Sequence, residues 1–81
     1  MIYGMYSVKD IKTGYLPPTF DMNDLSAMRN FEHACMNEDS LFFTHPSDYQ
    51  LYKVGSFDTE TGSITDEIVF LMDAPVGKEV K

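Results

Sequence analysis

The sequence predicts an α+β domain, with one helix packed on a small, mostly antiparallel sheet in the order β-α-β-β(-β). Three observations carry that prediction. Leu25, Met28, Phe31 and Cys35 fall at offsets of three, three and four, the spacing of one helical stripe. Runs rich in Ile, Tyr, Val and Phe on either side of that stripe alternate as strands do. Asp58-Thr59-Glu60-Thr61-Gly62 punctuates the second half as a tight turn. A chain of 81 residues supports one core and buries only about 60% of its unfolded surface. Its 43% hydrophobic residues, with five Tyr and six Phe, are too many for disorder.

Ile2 to Ile11 reads as the first strand, with Met5, Ser7 and Lys9 on one face and Tyr6, Val8 and Asp10 on the other. Thr13-Gly14 ends it, and Pro17-Pro18 then removes two backbone donors, so the stretch to Asp21 reads as a connection. The helix is expected over about 24–37, capped by Asn23 or Asp24 and stopped by a left-handed Asn37. Leu41-Phe42-Phe43, bracketed by turn residues, reads as an apolar plug in a loop. Tyr49 to Phe57 is the second strand, with Leu51, Lys53, Gly55 and Phe57 on one face and Tyr52, Val54 and Ser56 on the other. A third strand starts at Ser63, and Glu67 to Met72 adds a fourth or completes a long third. Residues 1–73 thus form the single domain and 74–81 a mobile C-terminal tail.

Thirteen acidic side chains against six basic ones give a net charge of −7, which repels a phosphate backbone at long range. Four of the six cations, Lys9, Lys12, Arg29 and Lys53, nonetheless precede the acidic C-terminal third and leave room for a local basic strip. The single cysteine, Cys35, excludes an intrachain disulfide and points to a reducing, intracellular setting. No apolar run approaches the roughly 18 residues of a membrane span, and the start of the chain lacks the pattern of a signal peptide, so the expectation is a protein neither exported nor inserted.

No constellation of an enzyme is legible. Cys35 and His33 stand two apart on the helix, pointing about 200° from each other, and cannot share a metal within a turn. The Asp58 to Gly62 run fails the calcium-loop register, since glycine is fifth and Val69 twelfth where glycine must be sixth and Glu twelfth. Asp66-Glu67 alternate across a strand and Glu38-Asp39 lie in a loop, which suits solvated charge better than acid–base work. The expectation is no catalytic residue, no metal and no cofactor. Arg29 reads as the partner of Asp48 or Glu32, or as a phosphate or protein contact. Aromatics on a sheet beside lysines can stack single-stranded bases, and the candidate nucleic-acid contacts are Lys9, Lys12, Arg29, Lys53, Tyr15 and Tyr49.

A longer pattern runs through the chain: Met5-Tyr6-Ser7-Val8-Lys9-Asp10, Pro17-Pro18, Ala27-x-Arg29-x-Phe31, Asn37, then Pro46-x-Asp48-Tyr49-x-Leu51-Tyr52-x-x-Gly55-x-Phe57-Asp58-x-x-Thr61-Gly62. Over roughly residues 5–64 it resembles the small non-structural protein of gokushovirus-type microviruses. That resemblance implies a product of a small circular single-stranded DNA phage, made in the host bacterial cytoplasm and absent from the virion. By analogy with a related microvirus protein it further implies a part in single-stranded genome synthesis coupled to packaging. Pro46, Gly55 and Gly62 read as framework within the pattern.

The function expected is a non-enzymatic phage accessory protein in single-stranded DNA replication or packaging, binding single-stranded DNA or the replication and packaging proteins. The alternative is an acidic, host-directed protein-interaction module of the DNA-mimic or inhibitor type. So small a core with an exposed strand edge is expected to pair as a homodimer.

Overall fold

In the computed structural model, which describes residues 1–76, strand β1 (Ile2–Asp10) is the spine of a five-stranded sheet. Along one side it pairs antiparallel with β4 (Tyr49–Asp58) over almost its whole length. Its other side is shared by two short strands, β2 (Gly14–Tyr15) against Lys9 and Asp10, and β3 (Thr19–Asp21) against Gly4 to Tyr6. Pro17 and Pro18 sit between them, where the missing N–H groups interrupt the ladder. The stretch expected as a plain connection is therefore hydrogen-bonded to β1 at both ends. Pairings of two and three residues are too short to leave a legible alternation.

The far side of β4 carries β5 (Ile64–Asp73), one strand of ten residues, so the expected third and fourth strands are a single long one. The turn between them forms as its residues dictate. Gly62 has φ 76° and its N–H donates to the Asp58 carbonyl at 2.8 Å, while the Asp58 carboxylate accepts from the Glu60 N–H at 2.9 Å. Gly55 is needed for a different reason: a side chain there would run into the Thr65 carbonyl of β5.

One face of the sheet is covered by helix α1 (Asp24–Cys35) and the single turn α2 (Leu41–Thr44). Asn23 is the N-cap, its side chain accepting from the Ser26 N–H at 2.8 Å. The left-handed stop at Asn37 does not form, because no non-glycine residue among those described has positive φ. The helix ends instead at Cys35, two residues before the expected end, with Met36 as its C-cap; the Met36 N–H donates to the His33 carbonyl at 3.1 Å and the Asn37 N–H to the Ala34 carbonyl at 3.3 Å. Its buried stripe is Ala27, Phe31 and Cys35 rather than one starting at Leu25, which is 77% exposed. The Tyr6 hydroxyl donates to Asp24 at 2.7 Å and turns that residue toward the sheet. Leu25, about 100° further round, turns away.

The core comprises Tyr6, Ala27, Phe31, Cys35, Tyr49, Leu51 and Ala74. Of the expected plug, Phe42 is the ring that enters, edge-on to Phe31 at 5.6 Å and to Tyr49 at 4.7 Å. Ala74, just past β5, is also buried and its N–H donates to the Tyr49 carbonyl at 3.1 Å. Of the tail expected over 74–81, residues 77–81 lie outside the described residues.

Candidate nucleic-acid interface

Alternation along β1 sends Tyr6 and Val8 toward the helix, and Met5, Ser7 and Lys9 to the face it leaves open. Register decides what joins them. Tyr52 pairs with Ser7 and Gln50 with Lys9 across β4, while Tyr15 pairs with Lys9 and Phe70 with Tyr52. The outcome is a row of rings across the sheet: Tyr15 stands edge-on to Tyr52 at 5.5 Å, and Tyr52 edge-on to Phe70 at 5.6 Å. The Lys9 ammonium lies 5.6 Å from the Tyr15 ring centre and 5.8 Å from that of Tyr52, within cation–π range of both. Ser7 stays buried on this face with its hydroxyl donating to the Leu16 carbonyl at 2.6 Å, so the smallest side chain of the row leaves the rings free to meet above it.

Strand β4 does not keep the simple alternation expected of it. Its register to β1 slips between the Met5 and Tyr6 partners, leaving Val54 as an extra residue. Lys53 pairs with Tyr6 and Ser56 with Gly4, and both line a cavity on the helix side with Asp24. The Lys53 ammonium sits 3.9 Å from the Asp24 carboxylate. Phe57 pairs with Tyr3 instead, and its ring stands 5.8 Å from that of Phe20.

The six candidate residues are therefore divided. Lys9 and Tyr15 come together on the open face, and Lys12 lies exposed in the turn between them. Lys53 is on the opposite face, tied to Asp24. Arg29 is exposed on α1, and among the described residues it has no ion pair, so neither Asp48 nor Glu32 holds it. Tyr49 is only 6% exposed and packed against Phe42, leaving no ring face for a base. Tyr52 and Phe70 join Lys9 and Tyr15 on this face, although neither is among the six candidates. Tyr52 is one of the strand tyrosines beside lysines that suggest stacking, but the register that brings it beside Lys9 comes from the pairing of β1 with β4 and is not legible in alternation.

Elsewhere the titratable groups serve packing. Burial, reinforced by Glu32, pushes the Cys35 thiol up to about 11. Burial first, then the bond to Asp24, raises the Tyr6 hydroxyl well above its ordinary value. Tyr49 is raised by burial and by the carboxylates of Asp10 and Asp48. A cavity of about 390 Å³ opens between sheet and helix, lined mainly by apolar side chains such as Val8, Leu16, Phe31 and Leu51. Its polar pair, Asn30 and Asp21, is mutually satisfied at 2.8 Å. Among the described residues no group of three or more His, Cys, Asp or Glu is placed to hold a metal ion, and no helix is long and apolar enough to cross a membrane.

Fold and site define a small α+β domain with one face of its sheet covered by a helix and the other presenting rings and a lysine. The chain belongs to the phage ORF5 protein family, which it matches over residues 3–75. The expectation of a small bacteriophage protein is thus met at the level of family. No curated protein and no solved structure matches the chain.

Proposed function

We propose that this phage protein is a non-enzymatic accessory factor in the replication or packaging of a single-stranded DNA genome, of the gokushovirus-type microvirus kind, and that it binds single-stranded DNA on the open face of its sheet in the host cytoplasm. The observation that carries the reading is the row Tyr15, Tyr52, Phe70 with Lys9 among the rings. Bases stacked on exposed rings gain about 1–3 kcal/mol each without regard to sequence, and a single adjacent cation suffices to hold one phosphate. The net charge of −7 fits a protein that binds through rings and few phosphates, whose grip therefore depends only weakly on salt. The reading as an acidic module directed at a host protein rests on that charge alone.

Anisotropy titrations of a labelled oligothymidylate at several salt concentrations test the proposal. Tyr52→Ala should weaken binding by the stacking of one base, about 1–3 kcal/mol, with the salt slope unchanged. Lys9→Ala should lower the slope by about 0.7, one phosphate on a single strand. Lys53→Ala should change neither. Absence of binding, or equal losses for Lys53→Ala and Lys9→Ala, would overturn it.

A further inference from the structure

The two edges of this sheet are unlike. One is broken into β2 and β3 on either side of Pro17-Pro18. The other is β5, ten residues long, which on this scale is about 33 Å of continuous strand. Folded proteins usually blunt such an edge with lysine or other charges, proline, bulges or brevity; β5 is long and has no lysine or proline, and its charges are the three acids Asp66, Glu67 and Asp73. It is exposed from Ile64 to Phe70 and carries Ile64, Ile68, Val69 and Phe70 among its exposed side chains. Its two register slips against β4 bend the strand but leave these residues uncovered.

We propose that β5 is a homodimer interface, pairing antiparallel about a two-fold axis with β5 of a second copy. Three features select that occupant. The broken edge cannot match ten residues of β5, so a head-to-tail pairing is short, whereas β5 against itself is continuous and closes as a dimer. The acids are spaced for it. With the axis at Val69, Asp66 faces Met72, Glu67 faces Leu71 and Asp73 faces Thr65 of the other copy, and no carboxylate opposes another. In the same register Ile68 of each copy meets Phe70 of the other, covering the two most exposed apolar side chains in the middle of the strand. Sliding the axis to Phe70 would set Glu67 against Asp73, so the charges also fix the register.

Two chains of net charge −7 repel each other, so dimerisation strengthens with salt, opposite in sign to DNA binding. The proposal shares only Phe70 with the nucleic-acid reading, whose ring row keeps Tyr15 and Tyr52 outside the dimer seam, and it is tested without DNA. Sedimentation equilibrium of the full chain at tens of micromolar should give the mass of two 9.2 kDa chains, with the dimer fraction rising between about 50 and 500 mM salt as screening grows. Ile68→Lys, at a position 61% exposed in the single chain, should sediment as a monomer with an unchanged circular dichroism spectrum. Hydrogen exchange of the wild-type protein provides a second readout, in which β5 amides gain protection as concentration rises while β1 amides do not change. A monomeric wild type, an Ile68→Lys variant that still dimerises, or β5 exchange independent of concentration would each overturn the proposal.

Discussion

The two faces of the sheet use the same residue types to opposite ends. Toward the helix, Tyr6 and Tyr49 are buried, their hydroxyls raised in pKa, and Lys53 is neutralised by Asp24. On the open face Tyr15, Tyr52 and Phe70 stand edge to face with Lys9 between two of them, and Phe70 keeps 50% of its surface in water. A tyrosine beside a lysine in sequence is thus no guide to a binding surface. Its face decides, and in β4 a single extra residue, Val54, switches the face of everything after it.

Truncating one ring on each face separates the two most sharply. Phe31→Ala removes a buried ring in contact with Phe42 and should cost about 3–5 kcal/mol in thermal or denaturant unfolding. For a domain this small that is most of its stability. Phe70→Ala, on the open face, should cost less than about 1 kcal/mol in the same assay. Equal losses would erase the distinction between the faces.

Gly55→Ala comes next, since its new methyl group meets the Thr65 carbonyl and must push β5 from β4. A loss of about 1–3 kcal/mol in denaturant unfolding is expected, with the largest amide shifts in β5. Tyr6→Phe keeps the ring and removes only its bond to Asp24, worth about 0.5–1.5 kcal/mol. Stability should also depend on pH. A thiol is neutral when protonated, and the folded Cys35 holds its proton to about 11 against an ordinary 9.0. Its contribution to stability is therefore complete below pH 9 and declines as pH rises toward 11. The melting temperature should fall over that interval, and less so in Cys35→Ala compared with its own value at pH 8.

Much of the fold was legible because it rests on local chemistry. Asn23 caps the helix, Asp58 to Gly62 turns the chain, and Phe42 supplies the plug, each from residues that act on their neighbours. What escaped depends on distant partners. Tyr6 chose Asp24 rather than Leu25 for the inner side of the helix, and the pairing of Lys9 with Gln50 leaves Lys53, three residues further along β4, on the opposite face. The candidate site shows the same division: Lys9 and Tyr15, near in sequence and paired across a tight turn, were found together, whereas Tyr52 and Phe70 reach them only through register.

The direct test of the open face as the functional one is a nitrogen–proton NMR titration of the protein with an oligothymidylate. The account predicts that amide shifts gather at Lys9, Tyr15, Tyr52 and Phe70 and leave Ala27, Phe31 and Lys53 in place. Shifts gathered instead on α1 and the cavity beneath it, with the ring row unmoved, would contradict it.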